Sequence, residues 1–451
     1  MADSASELYR PRPTLTVFDG VCVVVGIVVG VGIFKAPSIV AANVASQWEF
    51  MALWGLGAMI SLIGALCYAE LSAAYPNVGG EYHFLKRAFG WRVGFLFAWG
   101  RLSVVQTGAI AVVAFVVGDY ASQLAPIGPY GSAIYAGLAI VGLTLLNLRG
   151  VSHSKWLQNI LTVALIIAVA GIIVVSLTMA PIRFEVSAAA LPEGSNASGL
   201  ALIFVLLTFG GWNEAVYLAG EVRNVQRTMV RLLVIGLGVV AVVYLLLNFA
   251  YLQVLGLDGM RESEVVAADL LRATMGERGA LIISMVIAGA ALTTLNATIF
   301  TGARTSYAFG RDFPLFGWLG RWDSKAMTPS NALLVQGVIA LMLVILGALG
   351  RKGFATIVEY TAPVFWLFFL LSALSLFVLR QREPEIPRLF RVPFYPFMPA
   401  LFCITCAYML HASIAYTGIG ALAGGVVLLG GLPLMYLSQR RLPAKKVASN
   451  V

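Results

Sequence analysis

Long apolar runs separated by short polar loops fill the chain from residue 15 to residue 438. A helix needs about 20 apolar residues to cross the hydrocarbon of a bilayer, and the runs meet that length without the strict alternation of strands. They predict an all-α membrane protein with twelve transmembrane helices, at 15–43, 50–75, 92–118, 130–148, 156–180, 198–220, 232–255, 279–307, 330–349, 355–379, 394–415 and 417–438. Polar tails precede and follow this single domain, at 1–14 and 439–451.

Two runs are interrupted where a spanning helix should be most regular. VGIVVGVGIF, residues 25–34, carries Gly26, Gly30 and Gly32 at the middle of the first run. Glycine gains least from helical order, so the cluster invites unwinding. Bare peptide groups at membrane depth are tolerated only where they line a cavity or meet protein. The groups freed here are the amides of Val31, Gly32 and Ile33 and the carbonyl of Val28. Such a break offers donors to an anion and acceptors to a cation, and an amino acid zwitterion presents both. Close helix packing by small residues is the plainer use of the same glycines. The sixth run, ALIFVLLTFGGWNEAVYLAGE at 201–221, is broken again by Gly210 and Gly211. Five spans separate the two breaks, so the second unit starts from the opposite membrane face. That predicts an inverted repeat, 15–180 and 198–379, followed by two extra helices at 394–438.

Composition narrows the class. The 451 residues are 60% hydrophobic and 11% charged, with mean hydropathy +0.88, which excludes a water-soluble globular protein of this size. The net charge of +9 comes from Lys and Arg spread through short loops, a topology signal that places both termini in the cytoplasm and gives no reason to expect nucleic acid. The start, MADSASELYRPRPTL, lacks a secretory signal's short apolar core and cleavage site, so the first span is expected to be retained. Cys22, Cys67, Cys403 and Cys406 fall inside apolar runs and predict no structural disulfide. His83, His153 and His411 sit on three separate segments, which argues against a metal or acid–base enzyme, and no cofactor is expected. The absence of a GxxxxGK[ST] motif argues against an ATP-driven pump.

Several blocks carry a resemblance. GVGIF (30–34), YAELSAAYPNVGGEYHFLKRAFG (68–90), FGGWNEAVYLAGEVRN (209–224), LNATIFTGARTSYAFGRD (295–312) and FRVPFYPFMP (390–399) occur in the order found in amino acid permeases of the amino acid–polyamine–organocation superfamily. The chain most resembles the L-type amino acid transporter-like branch. The resemblance implies the LeuT-type fold, with discontinuous helices 1 and 6 and a pseudo-two-fold axis relating spans 1–5 to 6–10.

It also implies a site. The substrate carboxylate would rest on the amides of Val31, Gly32 and Ile33. The ammonium would meet carbonyls of Val28, Leu207 and Gly210, with Thr208 and Phe209 completing the sixth-span break. Val31 stands where relatives often carry Ser, which removes a hydroxyl contact. Gln106 occupies the place of an Arg in cystine/glutamate exchangers, and Asn213 that of an acid in an arginine exchanger, so a neutral amino acid is expected. Leu207 takes the position of an aromatic lid, with Phe209 two residues on. Arg101 lies about 140° from Gln106 around an α-helix, so it is expected to face elsewhere, its plainer uses being snorkelling or pairing with a carboxylate such as Glu70. Glu214 reads as a structural partner, and Asp119 and Glu359 as outer caps.

Glu70, Tyr82, Glu221, Arg223 and Arg304, at the inner ends of spans 2, 6 and 8, are expected to form a gate that breaks when the site opens inward. The fifth-span Lys of many relatives reads Leu165. Thr293 and Thr294 match oxygen-bearing positions of a sodium site, a weak cation candidate because such hydroxyls commonly bond within their own helix. Sodium coupling, proton coupling and uncoupled exchange all stay open. The loop at 119–130 has no Cys where the animal branch links to a single-span glycoprotein, so no disulfide-linked heavy subunit is expected.

Overall fold

The computed structural model describes residues 13–179, 197–263, 266–349, 353–417 and 419–440. Most of both expected tails lies outside these residues, as do Arg183, Arg351, Lys352 and the side chain of the expected cap Glu359. Among the described residues the chain is helical, and its only β pairing is two isolated bridges, Leu15 with Val222 and Asp323 with Thr328.

The first apolar run folds as α1 (Val17–Val28) and α2 (Gly32–Ala42), bent by 46° at the glycine cluster. Thr16 opens α1 with a capping box. Its hydroxyl accepts from the Asp19 amide at 3.2 Å while its own amide donates to the Asp19 carboxylate at 2.9 Å. Then follow α3 (Gln47–Ala74), the short α4 (Glu81–Phe89), and a third span built of α5 (Trp91–Gly100), a π-helical turn (Arg101–Val105) and α6 (Gln106–Leu124). α7 (Gly131–Arg149) and α8 (Val151–Met179) complete the first half.

The sixth span is α9 (Ala197–Thr208), an unwound Phe209–Gly211 and a 3₁₀ segment, Trp212–Leu218. After it come α10 (Val225–Glu262), α11 (Val266–Met275), α12 (Glu277–Asp312), α13 (Ser330–Leu349), α14 (Gly353–Arg382), α15 (Phe397–Thr417), α16 (Ile419–Leu429) and α17 (Gly431–Arg440). Among the described residues ten helices or composite helices are long and apolar enough to cross a bilayer, and the bent α1–α2 pair makes an eleventh candidate. In the expected twelfth, 417–438, α16 and α17 meet at Gly430, whose amide still donates to the Val426 carbonyl at 2.9 Å, and the stretch is shorter than the other spans.

Packing sorts the helices into inner and outer. α10 lies along α3 and α1, while α12 packs against α6, α8 and α1, so the two broken spans are enclosed. Leu138 of α7, Ile345 of α13 and Ile404 of α15 are exposed. An outward apolar surface of this kind is what a bilayer stabilises. The protein is a multi-pass, membrane-embedded helical bundle.

Candidate functional site

The two breaks cross each other. A Cβ added to Gly211 would lie 2.5 Å from Ile27, and one added to Gly32 would lie 3.2 Å from the Thr208 side chain. Gly211 also holds φ at +107°, a region open to glycine and costly for residues with a Cβ. Helical order in the first span stops at Val28 and resumes at Gly32. Among the described residues no backbone hydrogen bond is made by the amides of Val31, Gly32 and Ile33. They are the orphan donors of a helix N-terminus, which favours negative charge.

The acceptor side is partly occupied. The Tyr244 hydroxyl of α10 lies 2.5 Å from the Val28 carbonyl and 3.2 Å from that of Thr208, and the Gly30 amide reaches Val28 at 2.7 Å. The Leu207 carbonyl takes the Gly210 amide at 3.1 Å. Thr208 turns its hydroxyl back to Phe204 at 2.7 Å. On α12, Thr293 bonds its own helix at Gly289, 2.8 Å away, whereas Thr294 reaches across to the Gly26 carbonyl at 2.9 Å. The two candidate cation ligands therefore diverge.

A cavity of ≈ 170 Å³ adjoins the sixth-span break. Leu207 and Gly210 open onto it, and Ile60, Trp212, Phe365 and Phe402 are among its walls. Leu207 is exposed there, while Phe209 is fully buried against Trp54 and Tyr244, with ring centroids 6.1 and 4.9 Å away. Of the two lid candidates, Leu207 is the one at the cavity.

The five expected gate residues do not form one cluster. Only Glu221 and Arg304 meet, through a two-pronged pair at 2.5 and 2.9 Å, with both side chains buried. Glu70 faces the other way, to Arg380 of α14 at 2.5 Å and to the Val392 amide at 2.7 Å. Tyr82 donates to Asp312 at 2.5 Å, beside Lys86. Arg223 is exposed and reaches the Pro13 carbonyl at 3.3 Å. Loop position alone grouped them; the helix faces on which they sit separate them. Closure at this end also uses backbone. Leu15 donates to the Glu221 carbonyl at 2.9 Å and accepts from the Arg223 amide at 3.1 Å, so the entry to the first span is tied to the exit of the sixth.

Arg101 pairs with a carboxylate, as its plainer reading has it, but with a different one. It is buried and pairs with Glu214 at 2.7 Å, not with Glu70, and its guanidinium sits 4.0 Å over the Tyr217 ring. The π-helical turn explains this. Its i→i+5 bond from the Gln106 amide to the Arg101 carbonyl widens the turn, so the offset of an ordinary α-helix does not apply. Gln106 addresses α12 directly, donating to the Thr298 carbonyl at 2.6 Å and lying against Gly302, while Arg101 is linked to α12 only through Glu214, which accepts from Thr301 at 2.5 Å. Asp119 accepts from Ser132, which opens α7 from the neighbouring loop. Tyr244 and Leu15 were not legible in advance. One is a Tyr in an apolar run that also holds Tyr251, the other a Leu whose role is made by its backbone.

A bundle of membrane-length helices enclosing two helix breaks, with helix-start amides at one and an apolar chamber beside the other, defines a transport protein for small solutes. The amino acid permease family profile matches residues 15–427, and the chain belongs to that family. It is 30% identical to the b(0,+)-type amino acid transporter 1 of Mus musculus, over 88% of this chain and 81% of that protein. It is 26% identical to the human cystine/glutamate transporter, over 96% and 86% of the two chains. The large neutral amino acids transporter small subunit 2 of Mus musculus is 27% identical, over 92% and 79%. The chain is thus a secondary-active amino acid transporter and not an enzyme.

Proposed function

We propose that the protein moves a neutral L-amino acid by alternating access, as a permease or exchanger, with the carboxylate held by the amides of Val31, Gly32 and Ile33. The carrying observation is that these three amides stand unbonded at the start of α2, inside the bundle. Carbonyls of Leu207 and Gly210 supply the ammonium side. Val28 contributes less than expected, since Tyr244 and Gly30 already donate to it. The chamber beyond Leu207 is walled largely by apolar and aromatic side chains, which suits an uncharged substrate side chain. Gln106, bonded to α12, offers no charge there.

In this reading the fold is the twelve-helix, five-plus-five inverted repeat, with spans 1, 2, 6 and 7 rocking against 3, 4, 8 and 9. The termini are cytoplasmic and the bilayer is the cell membrane. Thr293 and Thr294 both spend their hydroxyl protons on backbone carbonyls in different directions, which favours transport without sodium. The four cysteines are buried in the bundle, which supports assembly without a disulfide-linked heavy subunit.

A competition panel of all twenty amino acids against uptake into proteoliposomes, with and without Na⁺ and a pH gradient, tests this. Neutral amino acids should compete and Na⁺ should have no effect. Competition confined to charged amino acids, or uptake that requires Na⁺, would overturn it.

A further inference from the structure

Between α4, the third span and the 3₁₀ segment of the sixth, two buried carboxylates share one buried cation. Glu214 of the 3₁₀ segment takes Arg101 at 2.7 Å and the Thr301 hydroxyl at 2.5 Å. Glu81, the first residue of α4, lies 3.8 Å from the same guanidinium. It accepts from Tyr68 of α3 at 2.6 Å and from Tyr217. Glu81 and Arg101 are each 3% exposed and Glu214 is 9% exposed, so water compensates none of them freely.

These are the titratable groups facing Glu81: Tyr68 on α3, Arg101 on the third span, and Glu214 and Tyr217 after the sixth-span break. The tenth span packs on the same corner through Phe365, Phe368 and Phe369, which carry no charge. Its Arg382 and Glu383 meet Ala88 and Arg87, at the far end of α4. No second cation reaches the cluster among the described residues, so full ionisation leaves one uncompensated negative charge. An unpaired buried charge costs several kcal/mol and is ordinarily removed by protonation.

We propose that the Glu81–Arg101–Glu214 cluster is a proton-binding site, occupied when the bundle is closed at this end and emptied when it opens. A carboxylic acid proton on Glu81 makes the cluster neutral. Tyr68 and the 3₁₀ segment belong to the elements that move in the proposed function, and Arg101 and Thr301 to those that stay. Separation admits water and the carboxyl loses its proton to it. Recovery of the closed state takes one proton back from the same side, so no proton crosses the bilayer by this site. A cavity of ≈ 10 Å³ beside Glu81 and Arg101, where the Arg101 Nε has no partner, leaves room for about one water to carry that proton.

Burial pushes the Glu81 carboxyl above its ordinary range, against the Arg101 charge and the two phenol hydrogen bonds, which pull it down. The sign follows from linkage. The closed state binds the extra proton, so it is favoured at low pH and lost as pH rises through the raised value, by up to about tenfold per pH unit for one proton.

This inference rests on the alternating-access reading, and two measurements separate their failures. Infrared pH titration of the reconstituted protein should show a protonated carboxylic C=O band at neutral pH that is lost in Glu81→Gln or Glu214→Gln. That readout needs no transport. Counterflow of labelled L-leucine, L-alanine and L-serine at matched inner and outer pH should slow as pH falls in the natural protein. Glu81→Gln, which mimics the protonated acid, should exchange slowly at every pH with a flat profile. A band unchanged in both variants, no neutral-pH band, or a Glu81→Gln profile that superposes on the natural one would overturn the proposal. Loss of counterflow in the natural protein at all pH values would instead indict the transport reading.

Discussion

The Tyr244 phenol donates to the Val28 carbonyl at 2.5 Å, where the first half-helix ends. The same hydroxyl lies 3.2 Å from the Thr208 carbonyl, at the end of the sixth span's first half. One side chain thus fixes the spacing of both breaks. Tyr244→Phe keeps the ring against Trp54 and Phe209 but strips a donor from a buried acceptor, a loss of about 1–3 kcal/mol. Exchange is expected to show a raised KM with a largely preserved fold, measured by counterflow kinetics beside a melting curve.

Glu221 and Arg304 form the buried lock between the sixth span and α12. Removing one partner of such a pair leaves an uncompensated charge and costs about 3–5 kcal/mol. Glu221→Gln and Arg304→Gln should each lower the melting temperature and speed labelling of a cysteine introduced on the inner side of the closure. The double variant should lose less stability than the two single losses combined, as a thermal double-mutant cycle would show.

Gly211 is held at φ +107° against Ile27. Gly211→Ala should destabilise by about 1–3 kcal/mol, and trimming Ile27 to Ala should recover only the contact part of that loss. Equal recovery to natural stability would mean that backbone strain contributes nothing at this turn.

His83 on α4 titrates at about 4, because burial, and then the charges of Arg87 and Lys86, disfavour its cationic form. Its folded value lies below the unfolded one, so the unfolded chain binds the proton first and stability falls as pH drops from about 6.5 toward about 4. His83→Gln should remove that part of the acid lability. The check is the difference in melting temperature between neutral and mildly acidic buffer, which should be smaller in the variant.

The helices and both breaks were legible because apolar run length and mid-run glycines are properties of the chain itself. Val31, Gly32 and Ile33 could be named for the same reason, since an unwound stretch frees the amides at its end whatever surrounds it. What was not legible depends on which faces meet. Glu70 was grouped with Arg304 by loop position, yet its face turns it to Arg380. Which carboxylate Arg101 meets depends on a π-helical turn that no residue type announces.

Gly32→Leu places a branched side chain where a Cβ alone would stand 3.2 Å from Thr208, beside the three free amides. Counterflow by this variant should be abolished while the protein remains monodisperse in detergent and binds no labelled substrate. Robust exchange would separate the first-span break from transport.

The most direct test is an experimental structure of the protein with a transported amino acid bound. The carboxylate should lie within hydrogen-bonding distance of the Val31, Gly32 and Ile33 amides, with the ammonium turned toward the Leu207 and Gly210 carbonyls. A substrate bound elsewhere, with those three amides closed into a continuous first helix, would contradict the account.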